Sequence, residues 1–215
     1  MVIAVALPAA PPPFAASVSR VVAGDLGRSW RPGCPVAPSE LRRVRVAYWG
    51  FDGDRRLGIV VVHRDAAAAV VTVFRRLYRS RFPIRSVRPV SAYGGSDDAS
   101  MAADNTSAFN CRRPDQINAP VLSSPHANGR AIDINPRENP WKDTRCSCWS
   151  PGRAQAAREP GPGKILQGGL VWRRFRQEGW VWQNISVADY MHFDTGYPSR
   201  PVNDATVPIT GAGNR

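Results

Sequence analysis

The chain has 215 residues and is 43% apolar, enough for one domain with a sizeable core and barely enough for two. Its net charge of +12 comes from 29 basic residues, of which only Lys142 and Lys164 are lysine. The arginines are scattered, not clustered, which argues against a specific nucleic-acid face and suits a generally cationic surface able to meet an anionic cell-wall polymer. No apolar run reaches ~18 residues, which excludes a full transmembrane helix within this sequence.

Residues 1–33 read as an Ala/Pro-rich leader. A signal or anchor remnant and a disordered leader are both open readings there. A domain is expected over 34–198, followed by a disordered tail over 199–215. Val44 to Phe51 reads as a strand, Asp52 to Asp54 as a turn, and Leu57 to Val62 as the strand that pairs back. Asp65 is expected to cap a helix whose apolar face is Val70, Val73, Phe74, Leu77 and Tyr78, with Arg75, Arg76 and Arg79 towards its C-terminal end. His63, at a strand end, reads as structural or exposed. Val87 to Tyr93 and Asn105 to Arg112 are expected to be extended. A long Pro/Gly/Arg-rich loop is expected from Asn135 to Gly163, a helix from Leu170 to Glu178, and short extended pieces at Trp180 to Trp182 and from His192.

Four cysteines, Cys34, Cys111, Cys146 and Cys148, suit two disulfides in an oxidising compartment. The pairing Cys34–Cys111, with a second bond involving Cys146 or Cys148, is favoured. A structural zinc site on Cys146 and Cys148 is the alternative, although C-x-C lacks the usual zinc spacing.

The chemistry concentrates in two places. Asp133 lies in a short apolar run, Ala131 to Ile134, where a carboxylate is costly unless paired or bound to a metal. His126 precedes it by seven residues. On one straight strand the two would face opposite ways, so a turn is required, and Gly129 can supply it. Downstream, Asp189 precedes His192 by three residues. His126, Asp133 and His192 form a three-ligand set that leaves a zinc ion an open position for water. Asp189 is placed as the general acid/base. Arg112, with Arg113 as its neighbouring alternative, is the candidate cation for the oxyanion or a substrate carboxylate.

These residues resemble a known family. The pattern S-x-H-x-x-G-x-A-x-D is matched by Ser124, His126, Gly129, Ala131 and Asp133, and the acid-x-x-His element by Asp189 and His192. Both are similar to the zinc peptidases that include VanY-type D-Ala-D-Ala carboxypeptidases, VanX-type dipeptidases and L-Ala-D-Glu endopeptidases; Hedgehog domains share the fold. The resemblance runs from about Cys34 to Tyr197 and is strongest to the VanY-like branch. It implies a small single α+β domain with a central antiparallel sheet, flanking helices and one catalytic zinc ion on the open face. It also implies metal ligation by His126, Asp133 and His192, catalysis by Asp189 and Arg112, and substrate contact by Arg112 and Ser124. The implied substrate is a peptidoglycan stem peptide, and the implied location is secreted or in the cell envelope. D-Ala-D-Ala carboxypeptidase is the leading reading. An L-Ala-D-Glu endopeptidase and a catalytically silent zinc-containing cell-wall binding module are the alternatives; a nucleic-acid binder ranks last. One departure stands out: many relatives carry Gly-Gly where this chain has Gln183 and Asn184 after Trp182.

Overall fold

A computed structural model of the protein describes residues 11–113 and 124–196. The elements follow in chain order. Strand β1 (Ala16–Arg20) and a short helix α1 (Ala23–Leu26) lead into two long strands, β2 (Leu41–Trp49) and β3 (Arg55–His63). Helix α2 (Ala67–Arg79), strand β4 (Ser86–Val87), helix α3 (Asp97–Ala102) and strand β5 (Asn105–Thr106) come next. Then come β6 (Ala131–Asp133), the pair β7 (Trp141–Asp143) and β8 (Cys148–Ser150), helix α4 (Leu170–Arg176), β9 (Val181–Trp182) and β10 (His192–Asp194).

Helices mix with antiparallel sheets, an α+β arrangement. The strands do not join in one central sheet. Among the described residues, β1-β2-β3 and β6-β10-β9 are two separate antiparallel sheets, β7 pairs with β8, and β4 pairs with β5 in parallel. The long hairpin forms because Ile59 to Val62 give β3 a β-branched run and Val44, Val46, Tyr48 and Trp49 give β2 valine and aromatic residues suited to a strand, and Gly53, at φ +83°, closes the turn that Asp52 to Asp54 signals. Val44, Val46, Val60 and Val62 are fully buried against α2, whose Val70, Val73, Phe74, Leu77 and Tyr78 form the inward stripe that the periodicity predicts. The same core continues through Ile132 and Ile134 to Phe175 and Phe193, so the second sheet and α4 rest on the first layer.

Several expectations change. Residues 16–20, inside the presumed leader, form a strand that pairs with Arg42–Val46 of β2. Every residue of β1 is exposed, so the strand carries no burial pattern that composition could reveal; backbone pairing with the open edge of β2 defines it. Phe14 packs against Tyr78, whose hydroxyl donates to Pro12 O at 2.6 Å. Asp65 does not cap α2. It sits in a 3-10 turn, Arg64–Ala66, and its carboxylate turns to Arg130 Nη2 at 2.9 Å. Only Ser86–Val87 of the stretch to Tyr93 is a strand; after Pro89 the chain coils into a 3-10 turn over Val90–Tyr93, ended by Gly94 in the left-handed region. The 135–163 loop contains the β7–β8 hairpin. It is pinned at its ends by the fully buried Asn139, which donates to Ile134 O and Gly163 O and accepts from Ile165 N. The cysteines pair as Cys34–Cys111 and Cys146–Cys148. The run Val2 to Leu7 and the tail 199–215 lie outside the described residues.

Candidate metal centre

The site is assembled by one cross-strand pair and one turn. In the β6–β10 ladder, His192 stands directly opposite Asp133. Ile132 and Ile134 point into the core with no exposure, so the period of two sends Asp133 to the other face. Directly opposed side chains in an antiparallel pair lie close enough to share a ligand. His126 arrives from a compact turn, in which Gly129 N donates to His126 O at 3.0 Å and Arg130 N to Pro125 O at 2.8 Å. Gly129 is at φ +67°, and a Cβ there would stand 2.6 Å from His63 N. Glycine is required twice over: by the backbone conformation and by the approach of β3, whose His63 N donates to Gly129 O at 2.7 Å. His63 itself is fully buried and contacts Arg130 and Asp65, in keeping with a structural role.

Three ligand-type atoms converge. His126 Nε2 lies 3.1 Å from His192 Nδ1 and 3.3 Å from Asp133 Oδ2, and His192 Nδ1 lies 3.2 Å from Asp133 Oδ1. A tetrahedral ion with bonds of about 2.0–2.1 Å has ligand–ligand edges of about 3.3 Å, so these spacings fit one face of a zinc site. The outer contacts agree. His126 Nδ1 is 2.7 Å from Ala108 O, a pure acceptor, so that nitrogen carries the proton and Nε2 presents a lone pair. His192 Nε2 is 3.1 Å from Asp194 Oδ2, which directs Nδ1 inward. Burial disfavours the Asp133 carboxylate, but charge interactions and hydrogen bonds with His126 and His192 hold it well below the usual range. Burial also opposes a charged His192, yet hydrogen bonds to Asp133 and Asp194 and the charge of Asp189 raise it to about 10. A metal ligated there needs His192 Nδ1 free of its proton, so binding and protonation of His192 compete.

Asp194 was not among the residues singled out in the sequence. It is 1% exposed, and besides His192 it accepts from Asn184 Nδ2 at 3.1 Å and Gly196 N at 2.7 Å. Its only sequence signal is a carboxylate two residues beyond a candidate ligand. Asp194→Asn is expected to weaken zinc binding by about 10- to 100-fold while the fold persists, as measured by chelator competition. Unchanged affinity would leave Asp194 with a packing role alone.

Asp189, Arg112 and Ser124 line the same pocket, about 380 Å³ in volume. The Asp189 segment is held by β7, through Lys142 N to Ala188 O at 2.7 Å and a bridge between Trp141 and Asp189. Its Oδ1 is enclosed without a hydrogen-bond partner among the described residues. Burial pushes the Asp189 carboxyl up to about 7; His192 opposes this and Asp133 adds to it. Arg112 is gripped by Asp97 at the start of α3 and donates to Ser124 Oγ at 3.4 Å. Arg113 donates to Gly94 O at 3.2 Å. Trp141, Arg145 and Met101 are among the other lining residues, and no motif or spacing pointed to them.

Residues 118–195 match a family model described as D-alanyl-D-alanine carboxypeptidase. The matched segment, less than half of the chain, contains His126, Asp133, Asp189 and His192, and bears out the resemblance to VanY-like peptidases. No curated protein and no solved structure matches the chain.

Proposed function

We propose, from the family match over residues 118–195 and the converged ligand atoms, that the protein is a zinc metallopeptidase of peptidoglycan stem peptides, releasing the terminal residue of D-Ala-D-Ala. The observation that carries this reading is the trio of His126 Nε2, Asp133 and His192 Nδ1, spaced as the face of a tetrahedron and opening into a pocket that Asp189 and Arg112 also line. Zinc bound there would supply a Lewis acid that acidifies a water molecule and polarises the scissile carbonyl.

The chain's own residues do the rest. Asp189, with its carboxyl near neutrality, can take a proton from the attacking water and return it to the leaving amine. Arg112, oriented by Asp97 and Ser124, offers a guanidinium to the developing oxyanion or to a substrate carboxylate. Two disulfides and a cell-wall substrate fit action outside the cytoplasm. No helix among the described residues is long and apolar enough to cross a membrane.

The test is to incubate the zinc-loaded protein with a muramyl pentapeptide and read product masses. Loss of one D-Ala is the expected result. Cleavage between L-Ala and D-Glu would assign the endopeptidase reaction instead. Zinc retention with no cleavage would identify a silent binding module, and failure to bind zinc would overturn the metallopeptidase reading.

A further inference from the structure

We infer that Gln183 and Asn184 are positioning residues: adjacent side chains that fix, from one turn, the segment bearing Asp189 and the ring of His192. The inference rests on the peptidase reading above. Gln183 follows β9 and sits at φ +53°, a conformation that glycine adopts freely and a long side chain rarely does. Its backbone N–H donates to His192 O at 3.0 Å, extending the β9–β10 ladder by one residue. Its side chain turns back, and Oε1 accepts from Asp189 N at 3.2 Å. His192 N donates to Asp189 O at 3.2 Å, so Gln183, Asp189 and His192 close a ring of three hydrogen bonds. A glycine would satisfy the backbone here but could not make the bond to Asp189.

Asn184 acts on the other side of the same histidine. Its Nδ2 donates to Asp194 Oδ1 at 3.1 Å, and Gly196 N shares that oxygen. The other oxygen, Oδ2, is thereby left facing His192 Nε2. Asn184, Asp194 and His192 form a relay whose far end is a candidate ligand atom. Core packing does not hold this turn, since Ile185 beside it is 42% exposed. The side-chain bonds supply the rigidity that a buried cluster supplies elsewhere.

The two residues should separate in experiment. Gln183→Gly suits the backbone and should leave thermal stability and zinc affinity near wild type. Hydrogen exchange at the Asp189 amide should accelerate about tenfold in the metal-free protein. Turnover should fall about tenfold in kcat at constant KM, the mark of a misplaced group and not of lost substrate binding. Gln183→Glu keeps the acceptor oxygen and should restore slow exchange. Asn184→Ala should instead weaken zinc about tenfold, with Asp189 exchange unchanged. Wild-type exchange in Gln183→Gly, or wild-type zinc affinity in Asn184→Ala, would overturn the assignment of that residue. Exchange and zinc affinity need no peptide substrate. A wild-type protein that binds no zinc sinks the peptidase reading; a zinc-binding, active wild type with indifferent variants sinks only this inference.

Discussion

Asp133→Ala is expected to lower zinc affinity by more than about a hundredfold and to bring turnover to background, because it removes a ligand and not merely a ligand's support. Asp133 touches both other members of the trio, at 3.3 Å from His126 and 3.2 Å from His192, so no remaining carboxylate bridges them. The same geometry sets the pH dependence of loading in the wild type. With His192 raised to about 10, the metal-free protein carries a proton at this centre at neutral pH. Zinc must release it, so affinity should climb about tenfold per pH unit while one proton is exchanged. Equilibrium dialysis against a buffered chelator from pH 6 to 8 measures the slope. A flat profile would show that His192 is not protonated in the metal-free state, and full zinc retention by Asp133→Ala would remove it from the ligand set.

The second large effect belongs to Asp189→Asn, which keeps the shape of the side chain and removes its proton chemistry. Turnover should drop by about 10²- to 10⁴-fold, with zinc content unchanged. Stability should move the other way. A carboxyl raised from 3.8 to about 7 by burial is neutral in the folded protein over a range where the unfolded chain is ionised. The folded state therefore loses stability as pH rises from about 4 through about 7, and the cost is fully present above that. Asparagine carries no such cost. The metal-free variant should melt above the metal-free wild type at pH 8 and level with it at pH 4. Equal melting temperatures at both pH values would mean that the Asp189 carboxyl titrates as an ordinary surface group. An inactive but more stable variant is the pattern of a residue retained for chemistry against the interest of the fold.

Much of this could be read from residues alone, for physical reasons that differ by region. The stripe of α2 was legible because Val70, Val73, Phe74, Leu77 and Tyr78 recur at helical spacing and all face one layer. The arms of the β2–β3 hairpin were legible because the valine and aromatic residues of β2 and the β-branched run of β3 flank a turn. The juxtaposition of His126, Asp133 and His192 was legible because a charge in an apolar run demands a partner. What stayed hidden depends on backbone pairing or on contacts distant in sequence. Strand β1 has no buried residue and exists through its register with β2. The β7–β8 hairpin lies in a stretch whose Pro, Gly and Arg content masks it, yet it holds the chain around Asp189. Asp97 looked like part of a polar loop, although it grips both Arg112 and Asn110 Nδ2. The Gln183 and Asn184 departure was visible as a difference, but its geometry was not.

The ladder that sets His192 opposite Asp133 is only three residue pairs long. A slip of one residue would carry His192 into the core and turn Phe193 towards the pocket, since successive side chains of a strand face opposite ways. Backbone bonds from Ile134 N to Met191 O and from Thr195 N to Arg130 O extend that alignment at either end. An ion held jointly by the two strands would reinforce it, because only one alignment offers both ligands to the same point. In this arrangement a bound ion would also act as a fastener, selecting the one pairing of β6 and β10 in which the chemistry is possible.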